Sequence, residues 1–318
     1  MEAVKNIEIK IKNNIEYLKS QLNFDWKSIK EKNVCLNFDF DDKSYVDLEI
    51  ILYLHLYFYY LRFKLSNKNK MLRLKNIDNI KDYINIMGFL KDIPYNKEIK
   101  DEYKKRLEKQ FLKIEEIDFS NKQIRKMMSL IEKNVYYNSK VNREILNSID
   151  YIFGELFDNI KIHSKSEIGG WFSVQVFKNW EQIKIVVGDI GLGIIEVLKN
   201  AKNPDGSSKY NYSTNEEWLL NSLNKEIGIQ QGNGLYLLKE LVKLLKGELK
   251  ILTSVYNLTL NGKNDKLFIQ KCNYIQGTLF IINLPTKTDV THEELDKLLS
   301  RSFEYDETFE ELDFDDFF

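Results

Sequence analysis

Apolar residues recur at helical spacing between residues 140 and 163, and this pattern predicts an amphipathic helix. Its apolar stripe consists of Ile145, Ile149, Ile152, Leu156 and Ile160. The β-branched run from Ile183 to Val187 predicts a buried strand, and Leu279–Pro285 predicts another. Leucines at helical spacing after Gly234 predict a second amphipathic helix. This half of the chain therefore predicts helices packed on a sheet.

The first third of the chain alternates between strand and helix patterns. After a charged helical pattern at the amino terminus, the sequence predicts strands over 33–40 and 71–74 and helices over 44–63 and 80–90. This alternation favours a small mixed or parallel sheet covered by helices. Residues 97–135 are highly charged and are predicted to form a helical connector, and a basic face that contacts nucleic acid is the alternative for this segment. The predicted fold class is α/β, arranged as an α+β sandwich.

Composition limits the classes of protein to which the chain can belong. At 318 residues it is long enough for two domains with real cores. Two isolated cysteines, Cys35 and Cys272, argue against a disulfide scaffold and suit a reducing cytoplasm, and the amino terminus lacks a secretory signal pattern. The apolar run Ile50–Leu61 is too short to span a bilayer and predicts a buried helix. A net charge of −1 disfavours nucleic acid as a partner, and the scattered histidines disfavour a zinc site.

The helix predicted over 140–163 carries polar residues along the edge of its apolar stripe. Glu155, Asn159 and His163 follow one another at i, i+4 and i+8. An amide oxygen is a hard ligand for Mg²⁺, and a carboxylate one turn away can polarise a water molecule. Ordinary helix-surface polarity gives the same pair of residues, so this motif alone leaves both interpretations open.

A second motif, Asp189-Ile-Gly191-Leu-Gly193, directly follows the predicted strand over 183–187. A carboxylate at a strand end can accept a hydrogen bond from an exocyclic amine, and the two glycines allow a ligand to approach the backbone. The same pattern is also common in tight turns that bind nothing.

Glycines mark the remaining two motifs. Gly232 and Gly234 open the second amphipathic helix, where free backbone amides form an anion site suited to phosphate. A plain glycine loop with Asn233 as the N-cap explains this segment equally well. Gly277-Thr278 begins the strand that ends at Pro285, and the Thr278 hydroxyl can donate to a phosphate or a base. Neither a P-loop nor a Rossmann glycine motif competes for this role.

In combination and in this order, the four motifs resemble the ATPase domain of the GHKL superfamily, shared by DNA gyrase, the heat-shock chaperone, histidine kinases, mismatch-repair proteins and bacterial anti-sigma-factor kinases. The resemblance covers residues 119–288 and implies a Bergerat-type fold, with a mixed sheet and helices on one face. It implies that Glu155 is the general base, Asn159 the Mg²⁺ ligand and Asp189 the carboxylate that reads the adenine of ATP. The same resemblance assigns the rest of the nucleotide site to Gly191, Gly193, Gly232, Gly234, Leu235, Thr278 and His163.

The chain departs from this family's pattern just before the histidine. Many kinase members carry a basic residue there, whereas this chain has Ile162, with Lys161 displaced by one position. This departure puts a direct lysine contact to phosphate in doubt.

Residues 200–231 resemble the mobile lid of the same family and include a predicted short helix over 216–223. From this segment, Lys209 or Lys225 would reach the γ-phosphate, although an exposed lysine is more often simply solvated.

The first third resembles a STAS domain of the anti-anti-sigma type, in the phrases Asn-Phe-Asp-Phe40, Tyr-Val-Asp47-Leu-Glu49 and Tyr-Ile-Asn-Ile-Met-Gly-Phe89. This resemblance implies a regulatory domain over 1–118 that binds a protein partner. Regulatory STAS domains carry a phosphorylatable serine or threonine after the aspartate, where this chain has Leu48 and Glu49. Glu49 therefore either mimics a permanently charged state or complements the helix dipole as a first-turn acid.

Residues 289–318 are predicted to form a short helix and then a tail. From Phe303 to Phe318 the chain has eight acidic residues, six aromatic residues and no basic residue. Acidic residues interleaved with aromatic ones are typical of a disordered segment that folds onto a basic, apolar groove, although a merely solvating tail would carry the same charge.

Three functions follow from these expectations. The first is slow hydrolysis of Mg·ATP, in which lid closure moves the STAS-like domain or a homodimer interface as a switch. The second is transfer of the γ-phosphate to a serine or threonine of a separate protein partner. The third is a non-catalytic module whose interactions are gated by nucleotide. A histidine kinase is disfavoured because no phosphoacceptor histidine helix precedes residue 140, and His55 belongs to the predicted STAS-like core.

Overall fold

A computed structural model describes residues 5–22, 34–40, 45–64, 71–89, 111–117, 141–225 and 234–300. Its strands are β1 (Lys5–Lys10), β2 (Val34–Asp39), β3 (Met71–Lys75), β4 (Phe111–Glu116), β5 (Gly170–Phe177), β6 (Gln182–Asp189), β7 (Glu248–Asn261) and β8 (Lys266–Pro285). Its α-helices are α1 (Ile15–Leu22), α2 (Leu48–Lys64), α3 (Lys81–Ile86), α4 (Arg143–Asp158), α5 (Ile194–Lys199), α6 (Asn215–Asn221), α7 (Gly234–Leu244) and α8 (His292–Ser300). The predicted α/β class is confirmed.

The first sheet has three parallel strands in the order β1-β2-β3. The predicted strands over 33–40 and 71–74 and the helices over 44–63 and 80–90 correspond to β2, β3, α2 and α3. The helix predicted ahead of the strand over 33–40 is present as α1, Ile15–Leu22, but the charged pattern at the amino terminus hid β1, which occupies Lys5–Lys10. Isoleucines 7, 9 and 11 alternate with charged residues there, and a period of two places them on one face of a strand.

The second sheet has five strands in the order β4-β5-β6-β8-β7, and every neighbouring pair is antiparallel. The strands predicted over 183–187 and 279–285 lie within β6 and β8. The helical prediction over 97–135 is wrong at Phe111–Glu116, where β4 pairs with β5 and adds a strand ahead of residue 119. The other predicted connector residues lie outside the described ranges, apart from Ile117.

One face of the large sheet packs against α4, α5 and α7. Phe153 and Phe157 of α4 contact Phe172 of β5, with ring centroids 5.2 and 5.3 Å apart, respectively. Aromatic contacts of this kind stabilise a core beyond simple area burial. Alternation along β6 sends Ile185 and Val187 to this side. The amphipathic helix predicted over 140–163 is thereby confirmed as the layer above the sheet.

The opposite face of the large sheet is covered by α2. This helix is apolar all round, as a helix buried on several sides must be. Its residues share one apolar cluster with Val186 of β6 and Leu279 of β8. Glu49, in the first turn of α2, also pairs with Lys184 of β6 at 3.0 Å. The two sheets are therefore joined through a continuous core with an ion pair at its edge.

No helix within the described ranges is long and apolar enough to cross a membrane.

Candidate functional site

A cavity opens where the carboxyl ends of α4 and β6 meet the amino end of α7. It encloses about 670 Å³, counting the space that is open to solvent. Its lining includes seven of the residues selected from the sequence motifs: Asn159, His163, Asp189, Gly193, Gly234, Leu235 and Thr278. Folding thus brings together side chains and backbone from segments that are distant along the chain.

Asp189 lies at the end of β6 and is only 4% exposed. Its Oδ1 accepts a hydrogen bond of 2.7 Å from the backbone amide of Gly191, and the backbone amide of Thr278 also donates to the carboxylate. Burial raises the pKa of Asp189 to about 7, because desolvation of the charged form outweighs the two hydrogen bonds that favour it. The site therefore holds a carboxyl group that can change charge near neutral pH.

The turn after Asp189 requires both of its glycines. A Cβ on Gly191 would collide with the backbone carbonyl of Ser164, whose oxygen accepts a hydrogen bond from the amide of Leu192. Gly193 has φ +78°, and a Cβ there would lie 2.6 Å from Thr253 Oγ1. Gly193 lines the cavity, whereas Gly191 is buried against the loop that ends α4. Close backbone packing explains Gly191 without any ligand.

We expect Gly191→Ala to lower the melting temperature, by several degrees or more, because backbone must move to admit the new methyl group. Gly154→Ala is the matched control, since Gly154 lies in α4 and a Cβ added there would have no neighbouring atom within 4 Å. That substitution should stabilise the chain by about 0.5–1 kcal/mol. Thermal unfolding, monitored by circular dichroism, measures the melting temperatures of both variants. Equal melting temperatures for the two variants would show that the Ser164 contact is not tight.

Asn159 and His163 lie where α4 changes into a π-helix over Asn159–Ser164. The wider turn changes the spacing of successive side chains, and such segments occur often at functional sites. Asn159 Nδ2 donates to the backbone oxygen of Glu155 at 2.8 Å, which makes Oδ1 the atom available for a cation. Burial, followed by the charge of Lys165, lowers the pKa of His163, so the neutral imidazole is favoured.

Glu155 lies one turn earlier on α4 and is half-buried. Its carboxylate contacts the backbone of Gly234, the first residue of α7, where a Cβ would collide with Oε2. Burial raises the pKa of Glu155, and the proximity of Asp158 acts in the same direction, whereas a hydrogen bond from Tyr151 lowers it. Glu155 is thus beside a residue of the cavity wall, although it is not itself among the lining residues.

Thr253 is a buried residue behind the cavity wall that supports the site and that the sequence did not indicate. It lies on β7 opposite Thr278 of β8, and their hydroxyl oxygens are 3.5 Å apart. Its hydroxyl donates to the Gly277 carbonyl at 3.0 Å and accepts from the Ile194 amide at 3.3 Å. This one side chain connects Gly277 and Thr278 of β8 to the start of α5. Only the strand register reveals it, since a threonine in a strand has no signature of its own.

The apolar lining was also absent from the sequence-based assignment. It consists of Ile160, Ile194, Val197, Leu198 and Phe280, besides Leu235. These side chains give the cavity a wall that suits a flat, apolar ring.

Other predicted site residues are placed away from the cavity or outside the described ranges. Gly232 belongs to residues 226–233, which the structure does not describe. Lys161 and Ile162 are exposed on the π-helix. Lys209 lies over the ring of Tyr210, with Nζ 5.4 Å from the centroid. The short helix predicted over 216–223 is confirmed as α6, which a capping box begins.

No protein-family model matches this sequence, and no curated protein matches it significantly. Among the residues that the structure describes, no group of three or more His, Cys, Asp and Glu side chains could hold a metal ion. Any function must therefore be argued from the cavity itself.

Proposed function

We propose that this chain binds Mg·ATP in the cavity and hydrolyses it slowly, in the manner of a GHKL-type ATPase with a Bergerat-type fold. The observation that carries the proposal is that motif residues from four segments line one cavity, around a buried carboxylate. A chance set of turn and helix-surface residues has no reason to converge in this way.

The end of the cavity near Asp189 suits adenine. The carboxylate can accept a hydrogen bond from the exocyclic amine, and the aliphatic and aromatic wall can pack against the ring. Guanine presents a carbonyl oxygen at the corresponding position, and the ionised carboxylate, which prevails above the pKa of about 7, repels that acceptor. This asymmetry supports adenine as the preferred base.

The end near Gly234 suits phosphate. The backbone amides that begin α7 lack partners within the helix, and the helix dipole favours an anion there. Asn159 would hold Mg²⁺ through Oδ1 together with the phosphates, and the ion would neutralise their charge. A magnesium site of this kind needs few protein ligands, because the phosphates and water supply the others.

Glu155 is the proposed general base. Its raised pKa, its half-buried position and its contact with the start of α7 support that role. One observation favours the alternative of a non-catalytic, nucleotide-gated binding module: the Glu155 carboxylate packs against Gly234 instead of lining the cavity. Measurements of turnover separate the two functions.

The proposed output is a conformational switch in a cytoplasmic protein that acts on a protein partner or on a homodimer. β6 carries Asp189 at one end and, through Lys184, the ion pair with Glu49 of α2. A change at the bound nucleotide would therefore be transmitted along β6 to α2, the helix that joins the STAS-like part to the large sheet. Glu49 is a first-turn acid that pairs across this interface, which supports a structural role for it.

Calorimetric titration tests nucleotide binding and its metal dependence. We expect Mg·ATP to bind the natural chain, and chelation of Mg²⁺ to weaken binding about tenfold or more, since the ion offsets phosphate charge. In Asn159→Ala the affinities with and without Mg²⁺ should become similar. Asn147→Ala, on the same helix but outside the cavity lining, is the control. Absence of any heat of binding from the natural chain would refute the proposal.

A further inference from the structure

A second cleft opens at the opposite end of the large sheet. Gln182 and Pro285 pair at that end of β6 and β8, whereas Asp189 and Thr278 pair beside the nucleotide cavity. Seven strand steps separate the two pairs, a distance of about 24 Å. The cleft encloses about 820 Å³, counting the space that is open to solvent. It is therefore a separate site.

Lysines on the wall of this cleft exceed the acids that could neutralise them. Lys246, Lys263 and Lys287 all line the cleft. Lys287 pairs with Glu181 at 2.7 Å, and Glu248 is engaged by a lysine outside the cleft at 3.2 Å. In the part of the chain that the structure describes, no carboxylate lies within ion-pair distance of Lys246 or Lys263. The cleft therefore carries positive charge that an anionic occupant would neutralise.

An exposed tryptophan stands at the edge of the same cleft. Trp180 is 67% exposed, yet its ring stacks on Phe177 with centroids 5.1 Å apart and planes 20° from parallel. A ring held in this way offers a rigid apolar surface, the property of an anchor residue at an interface. Asn261 and Asn283 also lie on the wall, where Asn283 Nδ2 donates to Glu248 and Asn261 Oδ1 accepts from the Lys263 amide. An occupant with both acidic and aromatic side chains would complement the lysines and Trp180 together.

We propose that residues 303–318 of the same chain bind this cleft. That segment carries eight acidic and six aromatic residues and no basic residue, so its charge and its rings complement the lysines and Trp180. Acidic side chains beside Lys246 and Lys263 would supply the missing counter-charges, while an aromatic residue packs on Trp180.

The connection between the cleft and the segment is short enough for this contact. The chain leaves the cleft at Lys287 and enters α8, which ends at Ser300. Helix α8 is about 14 Å long. Residues 288–291, which connect Lys287 to α8, span at most about 14 Å more. Residues 301–318 can span about 60 Å when extended, which is ample for a return to the cleft.

Occupation by a tethered segment has a consequence for other proteins. A short tether gives an effective concentration in the millimolar range, so even a weak contact would fill the cleft. A protein partner with a similar acidic, aromatic segment would have to displace the chain's own. Binding of this segment to the cleft does not depend on nucleotide.

Zero-length carbodiimide coupling of the intact chain, followed by peptide mass spectrometry, tests the contact. We expect amide links from acids within 303–318 to Lys246 or Lys263, and their loss in the double variant Lys246→Glu/Lys263→Glu. Lys202→Glu/Lys271→Glu is the matched control, because both lysines are exposed and lie outside this cleft. Links spread evenly over the exposed lysines would overturn the proposal. In a mixture of ordinary and ¹⁵N-labelled chains, the two peptides joined by each link must carry the same nitrogen isotope. A link between an ordinary peptide and a labelled one would assign the occupant to a second copy of the chain.

A labelled synthetic peptide of residues 303–318 provides the second measurement. It should bind a full-length variant, in which the eight tail acids are replaced by their amides, at least about tenfold more tightly than the natural chain, whose cleft is already filled. Adding Lys246→Glu/Lys263→Glu to that variant should remove binding. Equal binding to the natural chain and the tail variant, or binding to neither, contradicts occupation by the chain's own segment.

Discussion

Glu155→Ala is expected to keep Mg·ATP affinity within about threefold and to lower the rate of ATP turnover about 10²–10⁴-fold, the usual contribution of a general base. A base acts in the transition state, so its loss falls on turnover and spares ground-state binding. The carboxylate lies between Tyr151, which donates a hydrogen bond to it, and the first residue of α7. Truncation to alanine removes the contact with Gly234 without introducing a clash.

Calorimetry and phosphate release on the same samples measure the two quantities. Glu144→Ala is the control, because Glu144 is an acid in the first turn of α4, outside the cavity lining, and should leave turnover unchanged. An unaltered rate in Glu155→Ala would favour the binding-module function. Phosphate that appears on a protein partner instead of in solution would assign the chain as a kinase.

The pH profile gives an additional signature of Glu155. Burial raises the pKa of this side chain, and a base works only when deprotonated. At saturating Mg·ATP, where the titration of Asp189 does not limit binding, turnover should therefore increase as pH rises through the elevated pKa of Glu155 and reach a plateau above it. Residual turnover in Glu155→Ala should lack this rise.

Asp189→Asn is expected to stabilise the nucleotide-free chain by up to about 4 kcal/mol at pH 8 and to reduce ATP affinity about 10–100-fold. The stability gain follows from linkage. Because the pKa of Asp189 is raised from 3.8 to about 7 by folding, the folded state holds a proton that the unfolded state releases between these values. The stabilisation from this group is complete below pH 3.8 and is lost as pH rises to about 7. Asparagine avoids that loss and can still accept from the Gly191 amide.

Denaturant unfolding at pH 5 and pH 8 measures this difference. The natural chain should lose more stability between the two pH values than Asp189→Asn does, whereas Asp158→Asn, the exposed control, should follow the natural chain. In nucleotide-binding measurements, the affinity of Asp189→Asn should no longer be higher for ATP than for GTP. Identical pH dependence together with a retained preference for ATP would contradict both the buried carboxylate and its assignment to adenine.

Periodicity was the most reliable guide to the individual elements. It predicted α4 and α7 because each has an apolar face that a helix can bury, whereas β6 was predicted from its continuous β-branched run. It missed β1 and β4, where the alternation of polar and apolar residues covers only Asn6–Lys10 and Leu112–Glu115, respectively. Such short alternation resembles a charged helix until a neighbouring strand supplies the hydrogen bonds.

The site shows a similar division. Asn159, His163, Asp189 and Thr278 could be selected from the sequence because their motifs carry chemistry. Thr253 and the apolar wall could not, since their importance lies in the strand register and in which faces meet. The π-helix over Asn159–Ser164 was equally hidden, because one extra residue in a turn depends on packing at the end of α4.

The sequence by itself determined the α/β class, most of the elements and the chemical identity of the side chains from which the site is built. Local spacing is enough for these, since a helix face and a strand face repeat within a few residues. Only the tertiary structure decided that these side chains share one cavity, that α2 covers the second face of the large sheet, and that Asp189 is buried deeply enough to titrate near pH 7. Convergence and desolvation depend on contacts between residues far apart in the chain, and spacing along one polymer does not encode them.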